Sequence, residues 1–400
     1  MKNPNKKEHV FTYKVIYTLI IIAVYIVGIN IPLYMADTEA VTGLQIDAQN
    51  VLNQALNGDM KNGSIFSLGL WSYMLASMLV MLIVAILSVD RTRKIFPKKV
   101  SKAVIALTVI IAAFQAYTNM QSLTYVSEEH LLLTKSVVFL EMLSGMMLVI
   151  YLCERVAKYG IGGRTSIIVV NVFESLITMV KGMSFDKMII PIVISIFEIA
   201  IILFMEIKEK RIPVQRVSIH NIYADKNYIA YKYNPVGVMP LMFASAVFML
   251  PQFTCSLLEG FFPDNITVIW LTENMTLTRP LGILVYMLII CIINVAFSFI
   301  MLSPGTMADT LLKSGDSILD VYAGRQTKNY LKRTVLRLSL VSSFVMAICQ
   351  GIPLFLQFDG YVDSQLAMFP CSVMMLTGMW ISVHREARVY RNIDRYKLLV

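Results

Sequence analysis

Some ten stretches of the chain are almost wholly apolar, each roughly twenty residues long, and this repetition constrains the fold more than any other feature. They lie at 14–34, 70–88, 103–122, 132–153, 165–182, 188–207, 236–257, 280–302, 335–356 and 366–384. A segment of this kind crosses a bilayer as a helix, since only internal hydrogen bonds can satisfy its backbone in lipid. The composition agrees, with 57% hydrophobic and 15% charged residues over 400 positions, against about 25% charged in soluble domains. The expected class is an all-α polytopic membrane protein with about ten transmembrane helices. The stretch at 165–182 is the weakest, carrying Asn171 and Glu174, but Lys158, Arg164, Asp186 and Lys187 bracket it.

Charge placement sets the orientation. Lys2, Lys6, Lys7 and Lys14 precede the first stretch, and Arg91, Arg93, Lys94, Lys98, Lys99 and Lys102 lie between the second and third. Every second connection after that is basic, through 155–164, 208–232, 313–337 and 385–397. The alternate connections carry acids such as Asp37, Glu39, Asp47, Glu128, Asp264 and Asp359. The pattern predicts an even number of crossings with both termini cytoplasmic. The net charge of +9 is concentrated at membrane edges, which suits anionic lipid and implies no nucleic-acid partner. The first stretch is long enough to span and lacks a small-residue cleavage site, so it is expected to stay as the first helix.

No phosphate-binding loop, HExxH pair, nucleophile elbow or paired metal ligands occur, so an enzyme, a cofactor and a metal site are not expected. The five cysteines (Cys153, Cys255, Cys291, Cys349, Cys371) lie in or beside apolar runs without CxxC spacing and read as small hydrophobes. Glu141, Glu174 and Glu198 fall inside apolar stretches, which keeps a small-solute carrier with a proton relay as an alternative to a pore.

Two connections have patterns of their own. In "DAQNVLNQALNGDMKNGSIFSLGLW", Val51, Leu52, Ala55 and Leu56 have helical spacing before Gly58 and Gly63. This predicts a short non-spanning helix that either re-enters a cavity or lies on the outer surface. The inner loop 208–235 alternates apolar and polar residues on both sides of Ala224-Asp225-Lys226-Asn227, which predicts a hairpin. With 313–333 it would build a structured basic projection. The seventh stretch opens unusually, with Asn234, Pro235, Gly237 and Pro240 ahead of an apolar run that includes Met239, Met242 and Met249.

Five segments in order resemble one family, the SecY protein-conducting channel. "YTLIIIAVYIVGINIP" (17–32) is similar to that family's first helix, and "IFSLGLWSYMLASMLVML" (65–82) to its junction of plug and second helix. "KYGIGGRTSII" (158–168) resembles the turn before its fifth helix, and "YNPVGVMPLMFAS" (233–245) the start of its seventh. "LLKSGDSI" with "AGRQTKNYLKRTVLRLSLV" (323–341) resembles the loop before its ninth. Where the family has a Pro, a first-helix Arg and a motor-contact Arg, this chain has Ser72, Ile26 and Tyr322, with Arg325 as a stand-in for the last. Those departures resemble the accessory branch of the family in Gram-positive bacteria; the housekeeping member is the alternative.

The resemblance implies two inverted five-helix halves, 1–187 and 188–400, with a plug at about 48–69 that includes Ile65, Phe66, Ser67, Leu68 and Gly69. It implies an apolar pore ring at Met74, Met78, Val169, Met242 and Met375, where unbranched thioethers adapt to chains of varied shape. It further implies a lateral gate with Gln115, Ser77 and Ser245, the glutamine holding the gate shut by a hydrogen bond. Motor docking would fall on loops 208–235 and 303–334, at Lys210, Arg211, Arg216, Lys232, Tyr322, Arg325, Lys328 and Lys332. The implied partners are a SecA-type ATPase, small SecE- or SecG-like membrane subunits and the secreted preprotein.

Overall fold

The computed structural model describes residues 10–35, 63–87, 97–123, 125, 131–181, 183–216, 227–261 and 265–396. Helices occur at each of the ten apolar stretches: α1 (Val10–Ile29), α2 (Trp71–Leu87), α3 (Pro97–Ser122), α4 (Leu131–Tyr159), α5 (Arg164–Val180), α6 (Phe185–Ile207), α7 (Met239–Phe261), α9 (Pro280–Leu302), α11 (Arg325–Phe358) and α12 (Phe369–Tyr396). Among the described residues, six helical segments are long and apolar enough to cross a membrane: 10–29, 99–121, 132–159, 185–207, 280–314 and 325–358. Two short helices lie in stretches the sequence reading left as connections, α8 (Ile266–Asn274) and α10 (Pro304–Ser314). Asn265 caps α8 by accepting the Thr267 N–H.

The chain is not wholly helical. β1 (Glu209–Arg216), β2 (Tyr228–Lys232) and β3 (Asp316–Ile318) form an antiparallel sheet in the order β2-β1-β3. The expected hairpin is therefore present, and the later loop adds a strand to it, Val214 opposite Ile318 and Arg216 opposite Asp316.

Contacts divide the chain into two compact units, Met1–Met183 with Met375–Val400, and Ser184–Met374. The end of α12 belongs to the first unit for a local reason. Glu386 of α12 accepts the Gly162 N–H at 2.9 Å, and Lys14 of α1 donates to Gly160 O at 3.2 Å while its ammonium lies 4.4 Å from the Tyr390 ring. Gly162 and Gly163 have φ of 80° and 51°, a backbone that tolerates glycine best, so the Gly-Ile-Gly turn can offer its N–H to the carboxylate.

Inside the first unit, segment 63–70 is a run of turns packed on its neighbours. Leu33 N–H donates to Gly63 O at 2.6 Å and Ile65 N–H to Ile31 O at 3.1 Å. Leu68 joins a buried cluster with Leu33, Ala112, Ala116, Leu123, Val138, Met142 and Met146. The Phe66 ring stacks on Tyr25 and fills the space beside Gly28, where a Cβ would collide with it. Tyr25 also donates its hydroxyl to Asn171 Oδ1 at 2.8 Å, both residues being buried. In the second unit a buried polar contact joins α9 and α11, where Asn294 Nδ2 donates to Ser342 Oγ at 2.8 Å.

A buried hydrogen bond between membrane helices contributes about 1 kcal/mol. Tyr25→Phe should therefore lower unfolding stability in mixed micelles by about 1 kcal/mol, and Asn171→Leu in the Tyr25→Phe background should cost little more. Full additivity of the two changes would show that the bond is not formed.

Candidate functional site

The ring positions fall in both units. Met74 and Met78 lie one turn apart on α2, the first half-buried and the second buried. Val169 on α5 is half-buried and Met375 on α12 is buried, and both belong to the first unit with Met74 and Met78. Met242 lies in the first turn of α7 in the second unit and is buried. One chemical detail recurs in both units: Ser77 donates to the carbonyl of Met74 at 2.8 Å, and Ser245 to that of Met242 at 3.1 Å. Ser77 and Ser245 thus each satisfy themselves on their own helix, three residues back, at the carbonyl of a methionine expected in the ring.

Gln115 is half-buried on α3, where its Oε1 accepts from Ser72 Oγ at 2.8 Å. Both residues belong to the first unit, so the bond pins α2 to α3 inside that unit. The partner that Gln115 has in this structure is therefore on the adjacent helix. The donor is Ser72, at the position where the resemblance expects a proline, which would have no hydroxyl to donate.

Of the plug, residues 48–62 lie outside the described residues, as does the predicted short helix through Val51 and Leu56. Phe66, Ser67, Leu68 and Gly69 are buried and Ile65 half-buried, and the turns close through Ser67 N–H to Ser64 O and Gly69 N–H to Phe66 O.

The basic sheet is the most complete candidate surface. Its inner face is held by Ile212 and Tyr231 against Ala308 and Leu311 of α10, Ile318 of β3, and Leu331, Val335 and Leu338 of α11. The strand period of two sends Arg211 the other way, where its guanidinium lies 4.7 Å from the ring of Tyr228, diagonal to it across the pair. Arg325, Lys332 and Tyr322 are exposed, Tyr322 at 80%, while Lys210 and Lys328 are half-buried. Arg216 is opposite Asp316 in the ladder. Burial pushes the Tyr231 phenol above its ordinary value, and its hydroxyl has no hydrogen-bond partner among the described residues.

Lys232 is half-buried, as Lys210 and Lys328 are, and it is ion-paired. Its ammonium lies 3.3 Å from the buried Glu206 carboxylate at the end of α6. Sequence reading missed Glu206, although a lone carboxylate in the last turn of an apolar stretch, just before Lys208, Lys210 and Arg211, was the available signal. It also missed Glu386, the one acid within "HREARVYR".

The three intramembrane glutamates do not converge on one carrier site in either unit. Glu141 Oε2 accepts the Tyr34 N–H at 3.0 Å, next to the end of α1. Glu174 lies on α5, and Glu198 of α6 is in the other unit, buried, with both carboxylate oxygens lacking a donor among the described residues.

Solved structures share this architecture. A protein-conducting channel aligns over 98% of this chain and 95% of its own length, with a TM-score of 0.69 at 19% identity. The Sec61 channel of the canine ribosome-channel complex from the endoplasmic reticulum aligns over the same shares with a TM-score of 0.65 at 18% identity. The fold is that of a protein-conducting channel. The SecY family's sequence model matches residues 64–385, and the chain belongs to that family, whose members form an integral-membrane pathway for protein translocation rather than an enzyme. Among its relatives are accessory Sec system protein translocase subunits SecY2. That of Leuconostoc gelidum subsp. gasicomitatum is 24% identical over 100% of this chain and 99% of its own. That of Streptococcus agalactiae serotype Ia is 28% identical over 98% and 96%.

The Ser72–Gln115 bond predicts coupled mutants. Ser72→Ala and Gln115→Leu should each lower stability by about 1 kcal/mol, and the double variant by little more than either alone. The check is a double-mutant cycle on unfolding in bicelles; additive effects would mean the two side chains do not meet.

Proposed function

We propose that this chain is the central channel subunit of an accessory preprotein translocase in the cytoplasmic membrane, with both termini cytoplasmic and about ten crossings. The observation that carries this reading is the end-to-end similarity to accessory SecY2 subunits, together with a basic sheet that suits an acidic soluble partner. That partner is a SecA-type ATPase, and the energy of transport comes from its hydrolysis of ATP. Small SecE- or SecG-like subunits and anionic lipid complete the assembly. The exported substrates are large proteins, serine-rich glycosylated adhesins in particular.

In this reading Met74, Met78, Val169, Met242 and Met375 line the pathway as an apolar constriction that seals by dewetting. Four of the five are unbranched thioethers, which rearrange around bulky or irregular chains more readily than leucine. Residues at about 48–69 plug the closed channel, and the gate lies beside Ser77, Gln115 and Ser245. The inverted halves 1–187 and 188–400 supply five crossings each.

Two experiments test the proposal. Deleting the gene should abolish surface display of a glycosylated serine-rich adhesin while bulk secretion continues, as read by surface proteomics. Broad secretion loss would identify a housekeeping channel, and unchanged secretion with altered uptake of a small solute a carrier. Replacing Met78, Met242 and Met375 together by Gly should raise ion conductance in planar bilayers about tenfold or more. Unchanged conductance would remove these residues from the seal.

A further inference from the structure

Lys232 was expected among the motor contacts, but its surroundings give it another task. Between the end of α6 and the start of α7 the chain makes the β1-β2 excursion and returns to where it left. Glu209 is opposite Lys232 in the ladder. Tyr233 N–H then donates to Lys208 O and Asn234 N–H to Met205 O, each at 3.2 Å. The Lys232–Glu206 pair joins the last residue of β2 to the last turn of α6 at 3.3 Å. Four links thus close the base of the hairpin within a few residues.

The same carboxylate reaches the next segment. Glu206 Oε1 stands where a Cβ on Gly237 would come within 3.1 Å of it. Gly237 has φ 75°, and its N–H donates at 3.2 Å to Oδ1 of Asn234, a fully buried side chain. Met239 begins α7 two residues later. Glu206 is therefore paired with the hairpin's end through Oε2, while its Oε1 lies beside Gly237 in the turn that launches α7. Removing Lys232 takes the ion pair from a buried carboxylate, so the arrangement is sensitive to loss of either partner.

We propose that Glu206 and Lys232 are positioning residues that lock the base of the β1-β2 hairpin to the turn that launches α7, so that the two move as one body. The proposal rests on the reading above that the sheet receives the motor; its consequence is that force on the hairpin is delivered to α7 rather than absorbed in a slack loop. Lys232 belongs to this strut and contributes nothing directly to docking, while Arg211, exposed on the outer face, does dock.

The test uses the full chain in lipid nanodiscs. Hydrogen–deuterium exchange of peptides spanning 232–245 should accelerate about tenfold or more in both Glu206→Gln and Lys232→Gln, while peptides covering 209–216 keep their protection. The charge-swapped double variant E206K/K232E should recover the protection and also the export lost in the single variants, which also guards against simple misfolding. Binding of the purified SecA-type partner should be unchanged by Lys232→Gln and weakened by Arg211→Glu. Unchanged exchange at 232–245 in both single variants would overturn the strut. So would loss of motor binding in Lys232→Gln with binding retained in Glu206→Gln, which would make Lys232 a contact after all. If Arg211→Glu leaves motor binding intact while the exchange pattern is as expected, the strut stands and the docking surface is elsewhere.

Discussion

Helices in lipid gain little from the hydrophobic effect when they meet, because the tails they leave are as apolar as the side chains they approach. What holds the helices of this chain together is therefore close approach and a few buried polar bonds. Tyr25–Asn171 and Ser72–Gln115 serve the first unit, and Asn294–Ser342 the second. α6 shows the consequence along one helix. Pro191, Ser195, Glu198, Ile202 and Met205 recur at helical spacing on the buried side, while Ile189, Val193, Ile196, Phe197 and Phe204 are exposed. The face with the polar groups is inside and the purely apolar face is outside, the reverse of a soluble helix.

Where the chain leaves the apolar stretches, ordinary soluble packing returns. The three-stranded sheet buries Ile212 and Tyr231 on α10 and α11 and keeps Arg211 outside, the alternation expected of a sheet with one wet face. Two loops distant in sequence thereby become one small structured body in the second unit. β3 has only three residues and would not persist as a free strand; it is held by β1 on one side and the α10-α11 cluster beneath.

Sequence periodicity made the helices legible because a bilayer demands about twenty apolar residues wherever the chain crosses, and composition alone records that demand. The hairpin was legible for a related reason, since alternation with period two is visible in "RIPVQR" and "NYIAYKY". β3 was not, because three residues carry too little pattern and its partner lies about a hundred positions earlier. Side-chain pairing was the least legible level. Lys232 reads like its neighbours Lys210 and Arg211, and only the fold places Glu206 beside it. Gln115 was read as a lateral-gate residue, and the identity of the partner it has here depended on which face of α2 carried Ser72.

The breakers at 234–240 now have separate physical jobs. Asn234 is in the β-to-helix passage and accepts the Gly237 N–H, satisfying a donor that the irregular backbone would otherwise strand. Gly237 supplies a positive φ in a space bounded by Glu206, where a side chain would be strained and crowded. Pro240 is the second residue of α7, a position whose N–H no helix could use, so its missing donor costs nothing. A helix that began with good helix formers would extend backward into the hairpin and blur the joint. Here the joint is sharp, and its stiffness comes from side-chain and backbone bonds at its base rather than from helix continuity. With the proposed strut in place, hairpin and α7 tilt as one body, and Met242, one turn in, travels with them.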